Sequence, residues 1–151
     1  MFNLAFGYCG YNNDPTTYKA IYGALYNWNT VQTGNLCPSG WHVPTDSEWN
    51  TLITYWGGEN VAGGKLKETG ITHWEKPNAG ATNEGGLTAL PGSCLNNHGT
   101  FANIGFFGFW WAATENVPTA SWCRTMGCTG SNILRIFSLK KNGYFVRCIK
   151  D

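Results

Sequence analysis

The 151-residue chain predicts an α+β fold, with two helices early and an antiparallel sheet late, joined by long irregular loops. Three stretches carry that prediction. Thr45 and Glu48 stand as N-cap and N3 of a capping box, and behind them Trp49, Leu52, Ile53 and Trp56 recur at i, i+3, i+4 and i+7, the spacing of a helix with one buried face. Residues 107–114, 121–126, 132–139 and 144–149 are rich in aromatic and β-branched residues, separated by short breaks. Between the last two lies Asn142-Gly143, the strongest hairpin signal in the chain.

Taken in order, residues 1–14 read as an irregular N-terminal segment that ends in the turn Asn12-Asn13-Asp14-Pro15. Residues 16–28 predict the first helix: Tyr18, Ile21, Leu25 and Trp28 fall on one face, although Gly23 weakens it. Residues 31–37 read as a loop. Pro44 favours an extended residue before it, so Trp41-His42-Val43 reads as a short strand leading into the capped helix, which Gly57-Gly58 ends. Residues 61–68 fit either a short helix or a loop. Residues 69–100 form a long loop full of Gly, Asn and Thr, and a loop of that length is usually functional or held by its own hydrogen bonds. In 132–139, alternation places Ile133, Arg135, Phe137 and Leu139 on one face and Leu134, Ile136 and Ser138 on the other. Both faces are apolar, so this strand is either buried twice or displays an apolar patch. In the final strand Tyr144, Val146 and Cys148 oppose Phe145, Arg147 and Ile149.

The length suits a single domain spanning 1–151, large enough to bury a real core. With 13% charged residues and a net charge of +1, the chain has no electrostatic footprint for nucleic acid or an anionic membrane. No apolar run approaches the roughly 20 residues of a membrane span, so membrane insertion is not expected. Met1 to Leu4 has neither a basic region nor an apolar core, and no signal peptide is read there. The six cysteines (9, 37, 94, 123, 128 and 148) contain no CxxC pair, and their even number leans toward an oxidising compartment.

Candidate chemistry is sparse. His42, His73 and His98 show no zinc-binding spacing. Calcium wants six to eight oxygens, several from carboxylates. The nine acidic residues form no dense cluster, leaving only Asn83-Glu84 and Glu115-Asn116 as oxygen donors. The expected role of Asn83 and Glu84 is to hydrogen-bond the long loop, and no metal or other cofactor is expected. Cys94 and His98 are the one nucleophile–base pair that spacing suggests, and Cys94 could equally pair with Cys123 or Cys128.

The residues also carry a family likeness. Asn12-Asn13-Asp14-Pro15, Tyr22-Gly23-Ala24-Leu25-Tyr26-Asn27-Trp28, and Leu36-Cys37-Pro38-Ser39-Gly40-Trp41-His42-Val43-Pro44 are its first segments. Gly63-Gly64-Lys65-Leu66-Lys67-Glu68, Gly80-Ala81-Thr82-Asn83-Glu84, Thr88-Ala89-Leu90-Pro91-Gly92, Trp110-Trp111, Thr114-Glu115 and Val146-Arg147-Cys148 follow in order. Together they resemble the Fibrobacter succinogenes major paralogous domain family over nearly the whole chain after Cys9. The resemblance implies a C-type-lectin-like fold whose two ends meet in one sheet, in a secreted or surface-anchored protein; an extracellular, cell-surface or virion setting is expected. It also implies a Cys37–Cys148 disulfide joining the helix region to the final strand. The segments Ser93 to His98, Phe106-Phe107, Trp122 to Thr129 and Ile133 to Leu139 depart from the family's polar pattern. A steady framework with unusual residues on one side is similar to the variable proteins of diversity-generating retroelements, which display mutable side chains on a lectin-like scaffold.

The expected function is therefore non-catalytic recognition of a protein or cell-surface ligand, including in adhesion. The expected contact residues are Cys94, Leu95, His98, Phe106, Phe107, Trp122, Met126, Ile136 and Phe137, types common among interface anchors. The rival expectation is an assembly domain that buries its apolar patch in a homo-oligomer. Calcium-dependent glycan binding and cysteine-based catalysis come third.

Overall fold

The computed structural model describes residues 7–151. It is α+β, with four helices, a 3-10 turn and several small antiparallel sheets. In chain order these are β1 (Tyr8–Cys9), the 3-10 turn Tyr11–Asn13, α1 (Thr17–Tyr22), β2 (Leu25–Tyr26), α2 (Trp28–Gln32), β3 (Trp41–His42), α3 (Asp46–Tyr55) and α4 (Glu59–Leu66). The hairpin β4 (Cys94–Leu95) and β5 (Phe101–Ala102) follows, then β6 (Phe107–Val117), β7 (Ala120–Gly127), β8 (Ile133–Leu139) and β9 (Ile149–Lys150). Of the segment expected to be irregular, residues 1–6 lie outside the described residues, while residues 8 and 9 pair with β2.

The capped helix forms as its sequence predicts. Thr45 Oγ1 accepts from Glu48 N, Glu48 reaches back to Thr45 N, and Trp49 and Ile53 are buried. The single helix expected over 16–28 is instead two helices. Gly23, at φ +87°, ends α1, Leu25 enters β2, and Asn27 starts a new helix by accepting from Thr30 N. Leu25 and Trp28 are in the core while Ile21 is exposed, so tertiary burial rather than one helical face explains the spacing. The loop expected from residue 31 begins only after Gln32. The ambiguous 61–68 segment belongs to α4. Its Gly63 and Gly64 weaken the local helix signal, but a Cβ at either would lie 2.3 Å from a backbone oxygen, of Asn132 and Gly80 respectively. They let the helix touch the loops around it.

The central sheet is β6-β7-β8, antiparallel throughout. Trp110 and Trp111 are adjacent and therefore face opposite ways. Trp110 anchors the larger core with Trp49, Ile53, Leu66, Trp74, Met126 and Ile133, beneath α3 and α4. Trp111 anchors a second core with Trp28, Val31, Val43, Cys123 and Tyr144. Three buried indoles are tied by their N–H groups: Trp28 donates to the Ala112 carbonyl, Trp111 to Tyr26 and Trp74 to Ala89.

The expected Asn142-Gly143 hairpin does not close. Neither residue adopts the positive φ that a type I′ turn requires. Asn142 N donates to the Leu139 carbonyl and Asn142 Nδ2 to Ser138 Oγ, and the chain then leaves β8. Gly143, Tyr144 and Phe145 make single bridges to Leu95, Tyr26 and Trp110, so 144–149 is not one continuous strand. Its alternation nonetheless survives, with Tyr144 and Val146 in the Trp111 core and Phe145 in the Trp110 core. The chain's end pairs as β9 with β3, and the first described strand, β1, pairs with β2. Beside that pair, Cys37 and Cys148 form the expected disulfide, with Cα atoms 5.8 Å apart. No helix is long and apolar enough to cross a membrane among the described residues.

Candidate functional site

The sheet's register sorts the expected contact residues. Phe109, Thr125 and Leu134 form one row across it, and Trp111, Cys123 and Ile136 the next, all on one face. Phe107 extends this face opposite Gly127. Beyond the buried Trp111–Cys123 row the surface opens: Phe107 is 40% exposed and Leu134 46%, with Phe109 and Ile136 half-buried between them. Phe106, one residue earlier, is 49% exposed. The aromatic rings form a ladder, Phe107 to Phe109 at 6.1 Å and Phe109 stacked on Tyr144 at 4.9 Å, so the exposed ring rests on a rigid base.

Trp122 and Phe137 stand on the opposite face, directly paired, with rings edge-to-face at 6.0 Å. The Arg135 guanidinium lies 3.4 Å from the Trp122 ring centre, and Phe137 is 62% exposed. The expected set is thus two surfaces rather than one. Leu95 and Met126 belong to neither, because both are core residues. Cys94 is half-buried in β4, and His98 is exposed in the loop of the β4–β5 hairpin. Phe109 and Leu134, outside the expected set, share this face with Phe107 and Ile136, and the alternation of 132–139 places Leu134 beside Ile136.

The thiols are reduced at four positions: Cys9, Cys94, Cys123 and Cys128 are free, so neither loop-stapling pair of Cys94 exists. Cys94 Sγ points at the Ala102 carbonyl at 3.9 Å, and burial pushes its pKa up, the opposite of an activated nucleophile. The side chain of His98 makes no hydrogen bond to it. Asn83 does hold the long loop, exchanging two hydrogen bonds with Thr88. Glu84 does not; its exposed carboxylate lies 3.7 Å from Lys65 Nζ. Glu115 pairs with Lys140. No group of three potential metal-ligating side chains occurs among the described residues.

The sequence pattern of the Fibrobacter succinogenes major domain family matches residues 4–150. The chain belongs to this family. No curated protein and no solved structure matches it.

In this member of the Fibrobacter succinogenes major domain family, one buried cation ties distant loops together. Lys67, wholly buried, donates from Nζ to the carbonyls of Ala79, Gly127 and Gly130 at 3.0, 3.0 and 2.9 Å, and lies 5.2 Å from the Trp74 ring centre. Burial pulls its pKa down to about 8, while the three carbonyls favour the charged form. One ammonium thereby ties the 69–92 loop to the end of β7. Lys67→Met keeps the stem but strips three carbonyls of a charged donor, each worth about 1–3 kcal/mol; relief of burying a charge offsets part of this. The expected net loss is about 3 kcal/mol, read as a lower urea midpoint with faster amide exchange at Ala79 and Gly130.

Proposed function

We propose that this domain is a non-catalytic recognition module with a C-type-lectin-like fold. It meets a protein or cell-surface ligand through the outer face of its central sheet, on a secreted, surface-held or virion protein. The observation that carries this reading is the apolar strip Phe107, Phe109, Leu134 and Ile136, exposed in part and backed by the Tyr144 ring, with exposed Phe106 in the turn that leads into it. Large rigid aromatics on a sheet supply contact area at little entropic cost. A partly exposed apolar strip of this kind is the usual mark of an interaction surface. A disulfide-linked framework supports an oxidising compartment. As a retroelement-diversified protein it would vary on this strip while the Trp110, Trp111, Lys67 and Cys37–Cys148 framework stayed fixed; a locus without a template repeat and reverse transcriptase refutes that part.

The test is binding of the labelled domain to bacterial cells and a glycan panel, with calcium and with chelator. Binding is expected to resist chelator, to fall at least tenfold in Phe107→Ser and in Leu134→Ser, and to persist in Phe137→Ser on the other face; a loss of about 1.4 kcal/mol per anchor is enough. Loss of binding in chelator would replace this reading with calcium-dependent sugar binding. A stable oligomer of the parent that dissociates in Phe107→Ser would replace it with assembly.

A further inference from the structure

The chain has three arginines, and two of them, Arg124 and Arg135, share the carboxylate of Asp46. The third, Arg147, forms no ion pair among the described residues. Its Nη2 reaches only the Thr88 carbonyl, at 3.5 Å, and its Nε is buried with no acceptor. Burial holds its pKa below the ordinary value. The residue is half-buried, with Nε closed off from water, and a partly desolvated guanidinium without a counter-charge favours an anion beside it.

Arg147 lies in the wall of two hollows. One, of about 440 Å³, is lined by apolar side chains that include Trp49, Leu52, Tyr55 and Ile149, along α3. The other, of about 230 Å³, is more polar and lies against Tyr22, Tyr26 and Val146. The larger falls within the roughly 300–1,000 Å³ of small-molecule sites. Glu48 also borders it, but its two carboxylate oxygens are already held by His42 and by Thr45.

We propose that Arg147 anchors a second site, which binds an amphipathic monocarboxylate with its carboxylate on the guanidinium and its hydrocarbon tail in the apolar hollow beside α3. One unpaired cation matches one negative charge, and the planar fork matches a carboxylate's two oxygens. The hollow offers the tail apolar walls and no unsatisfied carboxylate to repel it. None of these residues belongs to the recognition strip on the sheet, so the two sites stand or fall separately.

The test is titration of the whole domain with decanoate, decanol and acetate, followed by calorimetry and by Trp fluorescence, since Trp49 lines the hollow. Decanoate is expected to bind, with decanol and acetate each at least tenfold weaker, about 1.4 kcal/mol. Arg147→Met should abolish the preference for decanoate over decanol. If that variant fails to fold, Arg147→Lys, which keeps the charge but loses the fork, should weaken decanoate several-fold. Thr51→Trp, at the exposed rim, should weaken decanoate and decanol alike at least tenfold with the thermal midpoint unchanged. Equal binding of decanoate and decanol by the parent overturns the role of Arg147. Decanoate no better than acetate, or unaffected by Thr51→Trp, overturns the role of the hollow, and binding of none of the three overturns the site.

Discussion

Replacing Cys37 and Cys148 together with serine is expected to lower the unfolding free energy by about 4–5 kcal/mol. The bridge spans 111 residues, so in the chain-entropy account it removes nearly the whole molecule's loop-closure freedom from the unfolded ensemble. The native contacts it reinforces are weak by themselves. The β3–β9 pair is two residues long, Trp41 is largely exposed, and the His42 ion pairs with Asp151 and Glu48 stand in solvent. Guanidinium unfolding of the parent and of the double serine variant measures the loss. Reductant added to the parent should reproduce it, because Cys9, Cys94, Cys123 and Cys128 are already free. A loss under about 1 kcal/mol would mean that unfolded-state structure, not chain entropy, governs the bridge.

What the sequence made legible is what depends on neighbours in sequence. The Thr45–Glu48 box, the buried Trp49 and Ile53, and the three strands of the central sheet all follow from local spacing, and the structure places them within a few residues of where they were read. The disulfide was legible only through the family likeness, since six cysteines alone leave the pairing open. The errors have a common physical cause: tertiary partners override a local pattern. Leu25 and Trp28 recur at helical spacing, yet one lies in a strand and the other opens a second helix, because the core reaches them from different sides. Asn142-Gly143 has the composition of a hairpin, but the following residues gain more from Leu95, Tyr26 and Trp110 than from β8. Leu95 and Met126 look like surface anchors by residue type and are core by packing. The burial of Lys67 follows no local pattern for the same reason. A charge that belongs in the interior has no sequence signature of its own, and the carbonyls that satisfy Lys67 lie 12 to 63 positions away.

Asp46→Asn is expected to cost about 3–5 kcal/mol, the range for removing one partner from a buried charge arrangement. Asp46 opens α3, where Thr114 Oγ1 also accepts from its backbone N–H. Its Oδ1 accepts from Arg124 Nη1 at 2.8 Å, while Arg135 grips both carboxylate oxygens, with Nη2 on Oδ2 at 2.9 Å. Arg124 is wholly buried, with Nη2 on Asn50 Oδ1 at 2.7 Å, so it has no route to water once the carboxylate is neutral. Arg135 is partly exposed and can rehydrate, and it carries the smaller share. The double change Asp46→Leu with Arg124→Met removes both buried charges and is therefore expected to be less damaging than Asp46→Asn alone. The same geometry sets an acid limit. Burial pushes the Asp46 carboxyl up, but the hydrogen bonds from Arg135 and Arg124 outweigh it and hold the pKa below the ordinary carboxylate value. A group lowered on folding contributes stability above its unfolded pKa, near 4, and that contribution is lost as pH falls through the lowered value. Urea midpoints of the parent should thus fall steeply below about pH 4, while those of Asp46→Asn start lower and fall less over the same interval. Parallel pH profiles for the two proteins would show that the Asp46 carboxylate is not the group that couples the helix layer to the sheet.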